Sequence, residues 1–303
     1  MTVIFDNLTF EFEKYSSRFR NVSTIHLPEL KEGIDRLRQE ENISEKFYAE
    51  IQSYFHFEVP AVLPTAKSII IIAVPQKLTL LSFIFNGKNH ELVVPPTYIY
   101  GEVVDTCKMI LGKVLEGTKS RIASAALPKK LLAVRSGLGK YGRNNICYVE
   151  GMGSFHRLEA FYTDYLFGED NWQEKKVMES CNNCFNCEHS CPTKSITTER
   201  FLIYAEKCLT RLNENEGNFP QWLSPQSHNA LVGCMKCQIV CPENKEFIKA
   251  KDKGEVFTEE ETEMILKGIP KDELPQELYK KLKRLNMDEY YSVLPRNLSV
   301  LIK

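Results

Sequence analysis

The chain has 303 residues, 43% of them hydrophobic, and its 39 basic and 40 acidic side chains leave a net charge of −1. Balanced charge excludes a generic polycation, and 11% aromatics with ordinary glycine and proline content exclude disorder and low complexity. At roughly 150 residues per domain the length points to about two domains, which need no disulfides to hold a core. Ten cysteines are the outlying number.

Residues 1–20 contain Asp6, Glu11, Glu13 and Lys14 and no apolar stretch of signal-peptide length. The longest apolar run, residues 69–74, stops at Pro75, far short of the ~20 residues that span a bilayer. A cytoplasmic protein with no membrane partner is therefore expected. In a reducing compartment, spaced cysteines point to metal rather than to disulfides.

In chain order, residues 31–54 carry Ile34, Leu37, Phe47 and Ile51 at helical spacing, with an interruption near Asn42. Residues 68–74 are β-branched and end at proline, so they read as a buried strand. Residues 78–85 and 91–94, joined by a loop opening with Asn86-Gly87, read as a hairpin. Helices are predicted over 103–115 and over 127–136, the latter with Pro128 near its start. Strands are predicted over 146–149 and 158–163. Residues 259–267 and 277–285 are charged helical sequence. The resulting division is an α/β part (1–175), a cysteine-rich part (176–248) and a helical tail (249–303) packing on the body.

The pattern Cys181-x2-Cys184-x2-Cys187-x3-Cys191-Pro192 is the bacterial ferredoxin run, in which three close thiolates hold one 4Fe–4S cube and the fourth reaches a second. A second set, Cys234-x2-Cys237-x3-Cys241-Pro242, lacks one cysteine, and the lone Cys208 supplies it. By the crossover rule Cys181, Cys184, Cys187 and Cys241 hold one cluster, and Cys191, Cys208, Cys234 and Cys237 the other. Zinc is the competing metal, but it would want two groups of four without a three-cysteine run. His189 lies inside the run and is expected to face solvent or hydrogen-bond, while Cys107 and Cys147 read as buried small hydrophobes.

Residues 137–142 satisfy G-x-G-x-x-G, the dinucleotide fingerprint, which counts only between a strand and a following helix. Here a helix precedes and a strand follows, so nicotinamide binding is not expected, although the glycines still require a tight turn or a close approach. Between Lys108 and Arg143 stand nine basic residues and one acidic residue, Glu116. This excess suits a phosphate-bearing partner such as RNA, or equally a pair of solvated helix faces.

The stretch Leu132-Ala133-Val134-Arg135-Ser136-Gly137-Leu138-Gly139-Lys140-Tyr141-Gly142-Arg143-Asn144, followed by Gly153-Ser154-Phe155 and Thr163-Asp164, resembles the epoxyqueuosine reductase family. The two cysteine sets with Cys208 between them, Leu63-Pro64-Thr65-Ala66-Lys67-Ser68, and Arg296-Asn297-Leu298-Ser299-Val300 extend the likeness over residues 60–303. The resemblance implies a nitroreductase-like α/β domain holding cobalamin and a ferredoxin-like domain with two 4Fe–4S clusters, related to reductive dehalogenases. It implies an oxidoreductase that reduces epoxyqueuosine in tRNA, the last step of queuosine synthesis, fed by a low-potential donor such as flavodoxin or ferredoxin. It places cobalamin contacts at Gly137, Gly139, Tyr141, Gly142, Arg143, Asn144 and Ser154. No Asp-x-His-x-x-Gly motif is present, in keeping with that family.

Two departures stand out. Where the family carries a proton-donating aspartate this chain has Ala123, and a methyl group cannot donate a proton. The family's basic Arg-Gly-Arg-Asp-Tyr-His segment appears as residues 98–105 without its arginines and histidine, leaving Asp105 and Tyr100 as conceivable acids. A non-catalytic electron carrier or reductive activator for a partner protein is the alternative that these losses suggest.

Overall fold

The computed structural model describes residues 2–40 and 43–302. Its elements are α1 (Thr2–Glu13), β1 (Arg18–Ser23), α2 (Leu27–Glu40), α3 (Glu45–Ser53), β2 (Ser68–Pro75), β3 (Leu78–Phe85), β4 (Lys88–Val94), α4 (Gly101–Leu115), β5 (Ile122–Ser124), α5 (Lys129–Arg135), β6 (Lys140–Tyr141), β7 (Cys147–Tyr148) and β8 (His156–Thr163). They continue with α6 (Asn186–Ser190), α7 (Leu209–Glu214), α8 (Lys236–Ile239), β9 (Lys251–Phe257), α9 (Glu259–Lys267), α10 (Gln276–Arg284) and α11 (Leu294–Leu301). The predicted interruption near Asn42 lies outside the described residues, between α2 and α3. Among the described residues no helix is long and apolar enough to cross a membrane.

The chain divides into two units, the first made of Met1–Pro75, Glu102–Cys184 and Glu199–Leu202. Its centre is an antiparallel sheet of order β1-β2-β8-β5. Ile69, Ile70, Ile71 and Ile72 of β2 are all fully buried because both faces are covered. Ile69 and Ile71 pack with Leu27 and Leu30 of α2 and Leu132 and Val134 of α5. Ile70 and Ile72 pack with Leu8 and Phe12 of α1 and Ile110 and Leu111 of α4. A strand buried on both faces reads as a continuous apolar run instead of an alternating one.

At the start of β8, His156 is 4% exposed, with Nε2 bonded to the carbonyl of Cys147 at 3.1 Å and Nδ1 unpartnered. Burial lowers its pKa to about 4 from 6.5, partly opposed by the carbonyl bond. The unfolded chain therefore takes up this proton near pH 6.5 and the folded chain only near pH 4, so stability is lost as pH falls across that window. The full effect is about 3 kcal/mol. His156→Gln should flatten the unfolding free energy between pH 6.5 and 5 in anaerobic urea titrations; an unchanged slope would refute the assignment. Cys107 and Cys147, each 1% exposed, have thiols pushed up to about 12 by burial and serve as packing groups, as predicted.

The second unit comprises Gln76–Gly101, Phe185–Thr198 and Ile203–Lys303. Its sheet has the order β4-β3-β9, with β3 antiparallel to β4 and parallel to β9. Asn86 and Gly87 make the β3–β4 turn with φ of 51° and 68°, the pair of positive values that a type I′ hairpin needs. The inner face of the hairpin, Leu81, Phe83, Leu92 and Val94, is buried with Ile265 of α9, Leu278 and Leu282 of α10 and Leu298 of α11. Phe83 stacks on Phe257 with ring centroids 4.5 Å apart. The hairpin thus belongs with the C-terminal segment rather than with the rest of residues 1–175, because it lacks a core until those helices cover it.

Candidate functional site

Two short helices, α6 and α8, present Cys187 and Cys237, and each is followed by a Cys-Pro step with nearly the same extended backbone: φ −67°, ψ 114° at Cys191 and φ −75°, ψ 123° at Cys241. The repeat of the sequence motif is therefore a repeat of local structure. Asn186 of α6 donates to the carbonyl of Val240 just beyond α8 at 3.4 Å. Outside the helices, Cys208 caps α7 with extended backbone, φ −62° and ψ 131°.

Cys191, Cys208 and Cys234 lie close enough to interact electrostatically, which brings together three of the four residues predicted to share one cluster. Each sulfur also receives donors. The backbone N–H of Ser195 points at Cys191 Sγ at 3.2 Å, and the Asn229 amide at Cys234 Sγ at 3.3 Å. Thr210 donates to Cys208. Burial raises the thiols of Cys208 and Cys234, while at Cys191 the Thr193 hydroxyl and nearby backbone N–H groups overcome burial and hold the thiol below its ordinary range. A set of converging sulfurs ringed with N–H donors fits an iron–sulfur cluster, whose potential such donors help to set. Among the described residues no group of three His, Cys, Asp or Glu side chains is placed to hold a single metal ion. His189 is exposed, as expected of a solvent-facing histidine, with its ring 6.2 Å from that of Phe185.

The segment bearing Arg296 and Asn297 braces these loops. Asn297, fully buried, donates to the carbonyls of Asn213 at 2.8 Å and Leu231 at 2.9 Å. Arg296 lies 3.9 Å over the Phe219 ring and donates to the carbonyls of Leu212 and Gly217. The bonded carbonyls flank Cys208 and Cys234, so this motif has a structural role in the second unit.

The glycine-rich segment, in the first unit, follows α5 and leads into β6 and β7, the reverse of a dinucleotide turn, as predicted. A methyl group on Gly139 would stand 2.6 Å from Cys147 Sγ and 2.7 Å from the Tyr148 carbonyl, and one on Gly142 2.6 Å from the Asn144 side chain. Both glycines are there to let β7 close against the turn. Tyr141 is buried, its ring edge-on to Phe201 at 5.2 Å. Asn144 is buried too and donates to the Tyr148 hydroxyl at 3.0 Å, and Ser154 is 3% exposed. Arg143 donates to the carbonyls of Cys181 at 2.5 Å and Cys184 at 3.2 Å. Tyr141, Arg143 and Asn144, nominated for cobalamin, thus have partners inside the unit and help to shape the turn.

Ala123 is half-buried in β5, directly across from Tyr162 of β8. The Tyr162 hydroxyl is 3.5 Å from the Glu58 carbonyl, and burial pushes its pKa up to about 12, so it keeps its proton at neutral pH. Cross-strand register places this phenol opposite Ala123, which sequence spacing alone does not show. Asp105 is exposed on α4, and Tyr100 belongs to the second unit, where its hydroxyl bonds Glu289.

The basic stretch is largely consumed internally. Lys113 pairs with Glu11, Arg121 with Asp164, Lys129 with Glu159, and Arg135 with Glu29 and Glu174. Lys130 bonds the Asn145 carbonyl, and Arg143 is engaged as described. Only Lys108, Lys119 and Lys140 of the nine remain exposed without an ion pair among the described residues. Local charge therefore gives little support to an RNA face.

Comparison with known proteins bears on these features. Residues 180–244 match the 4Fe-4S double cluster binding domain, so two 4Fe–4S clusters are the metal content of this region. An epoxyqueuosine reductase of Staphylococcus aureus is 29% identical over 193 residues, covering 60% of this chain and 50% of that one. The chain thus spans about half the length of this curated relative. The structure of epoxyqueuosine reductase from Streptococcus thermophilus shares the fold at a TM-score of 0.67, with 18% identity over 100% of this chain and 81% of that one. A crystal structure of epoxyqueuosine reductase with an epoxyqueuosine-modified tRNA-Tyr stem loop matches equally well, at 0.67 with 19% identity, over 99% of this chain and 81% of that one. In sequence over part of its length, and in fold, the chain is similar to epoxyqueuosine reductases.

Proposed function

We propose that the protein is a cytoplasmic, cobalamin-dependent reductase that converts epoxyqueuosine in tRNA to queuosine, or carries out a closely related reduction. The observation that carries this reading is the union in one chain of a double-cluster domain at 180–244 with an epoxyqueuosine reductase fold over its whole length. Converting an epoxide to an alkene takes up two electrons and two protons and releases water. Each 4Fe–4S cluster passes one electron at a time from a low-potential donor such as a flavodoxin or ferredoxin. Cobalamin, when bound, supplies the low-potential reductant, and the protein's share is orientation, burial and proton supply.

In that division of labour the eight cysteines hold the clusters that carry electrons, the glycine-rich turn shapes the first unit, and the proton must come from a group other than Ala123. Tyr162, its cross-strand neighbour, is the nearest acid by register. The electron-carrier alternative is less well supported, because a ferredoxin has no use for a first unit with its own three-layered core.

The test is an anaerobic assay of reconstituted protein on tRNA carrying epoxyqueuosine, with cobalamin binding followed by its visible spectrum. Appearance of the cyclopentene product is expected; absence of both cobalamin binding and turnover would sink the reading. Ala123→Asp is expected to raise turnover by about 100-fold, the low end of what a placed general acid contributes. An unchanged rate would mean that another group already supplies the proton.

A further inference from the structure

We infer that Arg143 is a positioning residue for the cluster held by Cys181 and Cys184, and that it tunes the potential of that cluster. The inference rests on the double-cluster reading but not on the identity of the substrate. Arg143 leaves β6 and aims two donors, Nη2 and Nε, at the carbonyls of Cys181 and Cys184. These are the backbone oxygens of two residues whose thiolates are assigned to one cluster. A guanidinium is a rigid planar fork, so two bonds from one side chain fix the spacing and direction of both carbonyls. A lysine in its place would offer one mobile point charge.

The fork is itself mounted on a stiff support. Tyr141 N–H donates to the Lys176 carbonyl and the Met178 N–H to the Tyr141 carbonyl, both at 2.8 Å, so the glycine-rich turn is stitched to the chain just before the cysteine run begins at Cys181. Behind it, Gly142 N–H bonds the Ile146 carbonyl at 2.8 Å, closing the turn from which Arg143 projects. The Cys184 N–H in turn approaches the Cys181 carbonyl at 3.4 Å, so one oxygen is shared between the loop's own turn and the Arg143 clamp. The arrangement spans residues of the first unit alone.

Two consequences follow for the cluster. First, the bonds from Arg143 brace the loop that carries two of the thiolates. Second, one-electron reduction of a 4Fe–4S cluster adds one negative charge, and a fixed cation beside the loop favours that more negative state, raising the potential.

The test compares anaerobically reconstituted holoprotein with Arg143→Gln, which removes the charge, and Arg143→Lys, which keeps it. Midpoint potentials come from EPR-monitored redox titration, iron content from chemical analysis, and cobalamin binding from absorption, all without tRNA. In Arg143→Gln one cluster should become about tenfold harder to reduce, about 59 mV for a one-electron couple, while the other stays put. Arg143→Lys should recover most of that shift. Loss of iron confined to one cluster would support the same role. Unchanged potentials with full iron would overturn it, as would loss of both clusters together in both variants, which would mark a general folding residue. Loss of cobalamin binding with both potentials intact would return Arg143 to the corrinoid. Failure to reduce epoxyqueuosine leaves these readouts untouched, so the two proposals fail separately.

Discussion

Replacing Cys208 with alanine should leave the reconstituted protein with about four irons per chain where the parent holds about eight. Cys208 stands outside both cysteine runs, yet its sulfur interacts with those of Cys191 and Cys234. Its place is set by the start of α7, which it caps, and by donors from Thr210. Without it, that cluster has three thiolates, and electron delivery through it should stop. Cys107→Ala is the control: that thiol is buried on α4 among Leu8, Ile110 and Phe161, and the full iron complement should remain. If Cys208→Ala kept eight irons, the ligand assignment would be wrong.

The second large effect is expected at Gly139. An alanine there would drive its methyl group to within 2.6 Å of Cys147 Sγ and 2.7 Å of the Tyr148 carbonyl. The carbonyl is backbone within the β6–β7 pair, where Lys140 faces Tyr148, so the strain cannot be relieved by turning a side chain. A cost of about 3 kcal/mol is expected, at the upper end of ordinary overpacking. That should lower the melting temperature by roughly 6–12 °C on the scale of a domain of this size. Gly112→Ala gives the opposite sign. That glycine lies within α4 with nothing within 4 Å of a new methyl group, so the variant should gain about 0.5–1 kcal/mol. Equal melting points for the two variants would refute the close-approach account.

The cysteine pattern was legible because cluster ligation is a matter of residue type and spacing, and both survive translation into structure without help from the rest of the fold. The buried strand β2 was legible for a similar reason: Ile69 to Val74 has no polar residue to place on a wet face. Other elements were hidden by their own composition. β9 reads Lys-Asp-Lys-Gly-Glu-Val-Phe, poor in strand formers, because it is the edge of its sheet, where charge guards against pairing with other chains. α1 is rich in phenylalanine and β-branched residues and becomes a helix because Phe5, Leu8 and Phe12 fall on one face against the sheet. The division into units was hidden because the partner of the hairpin lies far along the chain. In the glycine-rich segment Tyr141, Arg143 and Asn144 also hold the turn and the cysteine loop, a task that only the hydrogen bonds reveal.

The interleaving of the two units has a consequence for biosynthesis. The β3–β4 hairpin is translated more than half a chain length before β9, and the helices that cover its apolar face come later still. At about 5–20 residues per second the hairpin waits on the order of ten seconds or more with Leu81 and Phe83 uncovered. An N-terminal fragment ending at the cysteine runs would therefore expose this face and aggregate. The nascent chain needs shielding there, and iron delivered before α11 has emerged would meet thiols whose scaffold is not yet built.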